Sequence, residues 1–364
     1  MELWTHLLAW TIRVTAIALL TITAAPFVRT GWWIARICDF PRLQIALVAL
    51  ALAVVCAGAA LVADWRREPW FWALIAAVLA GWQASHVVKF TRVWPRSVPT
   101  ASSPDLSLVV ANLDFRNSSQ DDAAKTLRDL DADVYLLIEV DTKWLASLKP
   151  LRDARPHRAE HIEDDGLGVV VWSRHTLTQA SIEFLVSECR PSIHASIAVG
   201  EESVNFVALH PTPPGLPIEG EVGRHNSRIR DAELLLVADR VADDRDDRWI
   251  VAGDFNDVAW SRTTSLFQRK SGLLDPRVGR GLLNTYHADY PLLRYPLDHV
   301  FVSGGFRVGT FERFRVEGSD HFGVHVQVQI PKRSPGTSPS TDADANRTAD
   351  ELIREGKADA AGPD

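Results

Sequence analysis

Residues 249–256, WIVAGDFN, decide how the chain is read. The segment begins as an uninterrupted apolar run, as expected of a strand covered on both faces, and ends abruptly in a carboxylate and a carboxamide. The same design recurs on either side of it. Asn112 closes SLVVAN, Glu139 closes VYLLIE, His210 closes NFVALH, Asp298 opens DHVFVS, and Asp320-His321 precede FGVHVQV. One Asn or Asp at a strand end is ordinary turn chemistry. A repeated pattern in one domain points instead to side chains converging where neighbouring strands stop. Gly253 fits either a close backbone approach at that place or a plain turn.

The converging set is rich in oxygen donors and lacks a Cys/His cluster, which suits a hard cation, Mg2+ or Mn2+, rather than zinc. Two histidines add a proton acceptor near neutral pH and a donor for a phosphoryl oxygen. The composite reads as metal-assisted phosphoester hydrolysis. Cys38, Cys56 and Cys189 make neither a disulfide framework nor a zinc spacing. There is no Walker loop and no dinucleotide glycine fingerprint.

Outward from this segment, residues 106–330 alternate short β-branched runs with stretches of helical period, notably 121–130 and 226–242. They predict one large domain built on sheets. A Pro/Ser-rich linker, 97–105, precedes it. Residues 331–364, rich in Pro, Ser, Thr and Asp, predict a mostly disordered tail with one or two helical turns at 349–356.

The first 96 residues are a different material. They hold nine of the 13 tryptophans and carry net +5, against −12 for the remainder. The mean hydropathy of −0.03 therefore averages two unlike regions. Residues 43–63 contain no charge and are long enough to cross a hydrocarbon core of roughly 30 Å. Residues 70–88 form a second uncharged run with tryptophans at its start. Residues 7–28 form a third, interrupted by Arg13, which could snorkel to the near interface. A multi-pass membrane protein is expected, with the bilayer as partner and no protein partner inferable. Arg29, Arg36, Arg42, Lys89, Arg92 and Arg96 on the domain's side outnumber Arg66 and Arg67, which by the positive-inside rule places the domain in the cytoplasm.

The ordered set Asn112, 138–140 (IEV), Gly168 with Ser173-Arg174, Leu209-His210, 253–257 (GDFND), 297–299 (LDH) and 319–321 (SDH) resembles the endonuclease/exonuclease/phosphatase superfamily, the deoxyribonuclease I-like fold. The resemblance implies an α+β fold, a four-layer sandwich of two packed mixed β-sheets flanked by helices, with the site at one end of the sheets. It implies Glu139 as the principal magnesium ligand, with Asn112 and Asp320 near the metal. Asp254 and Asn256 would hold the attacking water and the phosphate. Asp298 would orient His321, and His210 would contact the scissile phosphate. Whether Asp254 or the His321–Asp298 pair removes the proton from water stays open. Arg190 and Arg228 could reach a phosphate or lie in ordinary ion pairs, Tyr286 could pack on substrate or in the core, and Asp257 reads as a cap. His194, His225, His287, His299 and His325 read as structural.

The domain and linker carry net −10 with no Lys/Arg cluster, which argues mildly against nonspecific nucleic-acid binding. A membrane anchor also confines the site to within a linker's reach of lipid headgroups. A lipid-linked phosphorylated substrate is therefore favoured over nucleic acid. The alternatives are a membrane-tethered nuclease and an inactive interaction module. Three spans before such a domain also resemble a bacterial group that includes the teicoplanin-resistance membrane phosphatases, which implies an isoprenoid lipid pyrophosphate as substrate. It implies an external catalytic domain as well, the side adopted here against the basic-residue count.

Overall fold

The structure is a computed structural model that describes residues 2–62, 67–215, 226–244, 248–332 and 343–362. His225 and Arg66, two residues weighed above, lie outside that set. Four helices open the chain: α1 (Glu2–Ala24), α2 (Trp33–Ile37), α3 (Arg42–Val62) and α4 (Arg67–Val87). Of these, α1, α3 and α4 are long and apolar enough to cross a membrane. They pack through small and branched residues, with Ala16, Ala49, Cys56 and Ala76 fully buried among Ile12, Ile45 and Leu79. Small side chains of this kind let helix backbones approach closely where no hydrophobic driving force separates helix from lipid. Arg13 does not snorkel alone as expected. It forms a two-pronged pair with Glu68, at 2.6 and 2.9 Å, which neutralises the charge inside the apolar stretch. At the opposite end of the bundle, Gln83 donates to Thr23 and accepts from Arg42, tying the three helices together.

The rest of the described chain is an α+β sandwich. Its first sheet contains β1 (Leu106–Asn112), β2 (Val134–Ile138), β3 (His157–His161), β4 (Val169–Ser173), β10 (Arg307–Arg315) and β11 (Phe322–Gln329), in the order β10-β11-β1-β2-β4-β3. The second is a run of neighbours, β5 (Leu177–Phe184), β6 (Pro191–Val199), β7 (Glu202–Leu209), β8 (Trp249–Asp254) and β9 (Asp298–Val302). Each sheet is mixed: β1 is parallel to β2 and β7 to β8, while the remaining pairs are antiparallel. Alternate residues of both sheets, such as Val110, Leu136, Phe206, Ile250 and Val300, meet in the central core.

The outer faces are covered by helices: α5 (Gln120–Leu130), α6 (Thr142–Ser147) and α7 (Lys149–Asp153) on the first sheet, α8 (Arg228–Asp243) and α9 (Arg262–Ser271) on the second. The tail departs from the expectation of disorder. Residues Ala343–Ala360 form helix α10, which lays Ala345, Ala349 and Ile353 on Leu235 and Leu266. Those three recur at i, i+4 and i+8, a narrow apolar stripe that average composition conceals. Residues 333–342, the first part of that tail, lie outside the described residues.

The sandwich rests on the bundle at the end where the polar strand termini gather. Phe90, just beyond α4, meets Trp260 with ring centroids 5.9 Å apart, and Phe40, just before α3, meets Tyr295 at 5.5 Å. Trp260 donates its indole N–H to the Asp39 carbonyl at 2.7 Å. Val87, Val258, Ala259 and Leu297 complete this apolar seam.

Candidate active site

Parallel pairing sets β1 beside β2 and β7 beside β8, so Asn112 and Glu139 leave the first sheet at one level while His210 and Asp254 leave the second. Antiparallel β9 brings Asp298 directly opposite Asp254. His321 precedes β11, the other neighbour of β1. The ends of both sheets thus deliver Asn112, Glu139, Asp254, Asp298 and His321 to one place.

Gly253 is required by that convergence. At φ +148° it lies where L side chains rarely go, and a Cβ on it would stand 1.9 Å from the Leu209 carbonyl oxygen. Of the two readings of this glycine, the close approach is the one observed: β7 and β8 are drawn together just before His210 and Asp254. Gly253→Ala is expected to destabilise the fold by about 3 kcal/mol, because the clash is with backbone that cannot rotate away. Thermal unfolding in detergent checks this. Glu139 and Asn256 also have left-handed backbones, at φ 60° and 51°. Such conformations cost energy in a non-glycine residue and gather at functional sites.

The Asn112 amide bridges the two sheets, donating to Glu139 Oε1 at 3.0 Å and to Asp254 Oδ2 at 3.2 Å. Asp254 Oδ1 accepts the Asn256 backbone N–H at 2.9 Å, and the Asn256 side chain donates to the Pro211 carbonyl. His321 has a carboxylate on either side: Nδ1 meets Asp298 Oδ2 at 2.8 Å and Nε2 faces Asp254 Oδ2 at 3.7 Å. Burial works against a charge on His321, but Asp298 and Asp254 outweigh it and push the imidazole up to about 10. Burial likewise raises the Asp254 carboxyl to about 7, with His321 pulling the other way, and raises Glu139. His210 is held well below its ordinary range by burial, then by Arg190 and His321, and so is neutral. Arg190 stands 3.5 Å from His210 Nδ1.

Asp254, Asp298 and His321 offer ligand atoms within 4.8 Å of one another, a group able to hold a divalent cation. The set differs from the expected Asn112, Glu139 and Asp320. Because both ring nitrogens of His321 face carboxylates, the oxygen donors are the part of the site that suits a hard cation. Asp298 Oδ1 is buried with no hydrogen-bond partner among the described residues. Three carboxylates, Glu139, Asp254 and Asp298, face one imidazolium here, an excess of buried negative charge that a cation would balance. Asp320 lies beside the site: its backbone carbonyl accepts from Ala288, and its charge acts on His321 and Tyr286.

Tyr286 packs its ring on His321, with centroids 4.9 Å apart, and also joins the seam against the membrane bundle. Asp257 accepts from the Ser261 hydroxyl and pairs with Arg230 at 3.5 Å. Arg228 is engaged by Glu355 and Asp359 of α10. His299 is fully buried, its Nε2–H donating to the Asp257 carbonyl at 2.9 Å and its ring stacked on Phe255 and Phe301.

Two arginines hold the site together in a way that their sequence positions do not reveal. Arg230, in α8, is almost wholly buried and donates to the Asn256 carbonyl at 2.8 Å. Arg36, in α2, reaches from the membrane-side loop to Thr263 at 2.7 Å and Asp231 at 3.7 Å. Both sit in stretches whose charge reads as a solvated face, and only the tertiary fold turns them inward.

Behind His210, buried Glu233 accepts the Ser187 N–H at 3.1 Å, and burial pushes its carboxyl up to about 7. A raised acid holds its proton longer in the folded state, so its contribution is favourable below about pH 4.5 and is lost as pH rises towards 7. Glu233→Gln should therefore stabilise the protein at pH 8 by about 2–3 kcal/mol and hardly at all at pH 4.5. Paired melting curves at the two pH values check the sign.

The sequence matches the Endonuclease/Exonuclease/phosphatase family over residues 109–321. No curated protein matches it. Among solved structures, the endonuclease/exonuclease/phosphatase from Bacteroides vulgatus is similar at 15% identity and TM-score 0.51, covering 63% of this chain and 100% of its own. D. rerio TDP2 complexed with single strand DNA product has 18% identity and TM-score 0.50, over 62% and 99% of the two chains. Humanized D. rerio TDP2 with 14 mutations has 17% identity at the same TM-score and coverage. At these identities the likeness establishes the fold.

Proposed function

The chain belongs to the Endonuclease/Exonuclease/phosphatase family, and from that premise we propose a membrane-anchored, divalent-metal-dependent phosphoesterase acting on a phosphate presented at the bilayer surface. One observation carries the reading: the residues flanking the site, Val258, Trp260, Leu297 and Tyr286, pack on Phe40 and Phe90 at the ends of the spans. The reactive end of the sheets is therefore the end nearest the membrane.

Glu139, Asn112 and Asp320 are the proposed holders of the cation, Mg2+ or Mn2+. When bound, the cation supplies Lewis-acid polarisation of a phosphoryl oxygen and neutralises developing charge. The chain's own groups divide the remaining work. His321, fixed by Asp298 and protonated between two carboxylates, has no free lone pair and serves as a charge donor to phosphoryl oxygen. Asp254 is then the acceptor for a proton from the attacking water, which Asn256 helps to orient. Neutral His210 donates a hydrogen bond to the phosphate, worth most as negative charge grows in the transition state.

In its finer form the reading takes a lipid-linked substrate, an isoprenoid pyrophosphate being one, with the domain on the external side. Alkaline phosphatase fused after Ile330 should be active in that orientation, and an active cytoplasmic reporter there would reverse it. A tethered nuclease is the second reading, and the likeness to a structure complexed with single strand DNA product gives it more support than the comparisons give an isoprenoid substrate. A magnesium assay of the full-length protein on lipid pyrophosphate, phosphodiester lipid and single-stranded oligonucleotide separates them. Hydrolysis of the oligonucleotide alone would replace the first reading with the second.

A further inference from the structure

Between Tyr286, whose ring lies on His321, and Tyr295, which pairs back with it, the chain makes a short excursion. Its tip, residues 290–293 with a helical turn at Pro291–Leu293, presents Tyr290, Leu292 and Leu293 at 58%, 81% and 57% exposure. Tyr290 has an edge-on ring contact with His287 at 4.6 Å, but three large side chains turned this far outward on a loop tip are costly in water.

The position of the tip supplies the explanation. Gln44, in the first turn of membrane helix α3, donates to the Leu292 carbonyl at 2.6 Å, fixing the tip at the level where that span leaves the lipid. The exposed apolar side chains of α2 and its edge, Trp32, Ile34 and Ile37, occur in the same membrane-side connection, whose Arg36 turns inward to the domain. The root of the excursion is held to the site: the Ala288 N–H donates to the Asp320 carbonyl, and Arg294 donates to the carbonyls of His287 and Ala288. The tip is therefore a stiff continuation of the catalytic wall, and it is contiguous with the surface that the three spans already present to lipid.

We propose that residues 290–293 insert into the leaflet that holds the domain-side ends of the spans, so that the mouth of the site opens onto headgroups and takes a lipid phosphoester from that leaflet. The substrate clause rests on the phosphoesterase reading above, while the insertion does not. Amphipathic loops with aromatic and leucine residues seat at such interfaces by burying apolar area among acyl chains.

The test uses full-length protein reconstituted in phosphatidylcholine/phosphatidylglycerol liposomes at low protein density. Its three native cysteines are replaced, and an environment-sensitive fluorophore is placed at Leu292→Cys or, as control, at Glu201→Cys, in the turn at the far end of the sandwich. Brominated acyl chains should quench the Leu292 label at least about threefold more than the Glu201 label, and aqueous iodide should show the reverse order. Iodide quenching of both labels equally would overturn the insertion, as would a Leu292 label shielded from both quenchers, which would mean a second protein copy covers the tip. Because fluorescence needs no turnover, failure here is distinct from failure of the enzymatic reading. In a second arm, Leu292→Glu with Leu293→Glu should lower hydrolysis of a long-chain lipid phosphoester in liposomes at least tenfold, while bis(p-nitrophenyl) phosphate is cleaved at the original rate. Equal rates on the lipid before and after substitution would overturn the entry route.

Discussion

Replacing His321 with alanine is expected to lower turnover of any phosphoester substrate by about 10³-fold with little change in KM, and to lower the melting temperature as well, because it removes the cation that balances two buried carboxylates. Among the described residues, the imidazole is the cationic side chain set between Asp254 and Asp298, and its removal leaves two buried carboxylates facing each other. General acid–base and charge-stabilising groups of this kind contribute roughly 10²–10⁴-fold to rate. Asp298→Asn supplies the discriminating partner variant. It keeps the shape but removes the charge that holds the ring protonated, so its loss should be smaller and should deepen as pH rises through neutrality. A His321→Ala enzyme that turns over at the original rate would remove the dyad from the chemistry.

Metal removal is the second large effect. Stripping divalent ions with EDTA should abolish hydrolysis, and Mg2+ or Mn2+ should restore it, because Glu139, Asp254 and Asp298 are more negative charge than one imidazolium balances. Glu139→Gln preserves the hydrogen bond from Asn112 in outline yet removes a hard anionic donor. We expect it to raise the Mg2+ concentration for half-maximal activity at least about 100-fold, since even outer groups around a metal alter affinity by 10–100-fold. Titration of activity against Mg2+ for the two proteins reads this directly. Coincident curves would show that Glu139 does not hold the cation.

Much of this was legible in the sequence, for identifiable reasons. Strands buried on both faces, such as 134–138 and 249–254, have no alternative but a continuous apolar run, and their polar terminal residues stand out against it. The three spans are visible because lipid tolerates so few charges. Strands at the sheet edges were not visible: HRAEH is only half-buried and LTQASIEF is largely exposed, so neither alternation nor hydrophobicity marks them. Helix α10 was hidden for a related reason, since three small or aliphatic residues suffice when the facing surface is already apolar. The site was legible residue by residue but not as a constellation. Nothing in the spacing of Asn112 and Asp254 says that one amide joins both sheets, and nothing in RIRDAELL says that Arg230 turns inward to the Asn256 carbonyl. The docking of the reactive end against Phe40 and Phe90 is likewise a property of the fold, visible only when residues more than 150 positions apart are brought together.

The central claim is that this catalytic end works on phosphates at the bilayer. It is tested most directly by competition in one tube: full-length protein in liposomes carrying a long-chain lipid phosphoester, with a single-stranded oligonucleotide in the surrounding buffer and Mg2+ present. The account predicts release of the lipid's phosphorylated product, sensitive to His321→Ala, while the oligonucleotide stays intact. Cleavage of the oligonucleotide with the lipid untouched would contradict it.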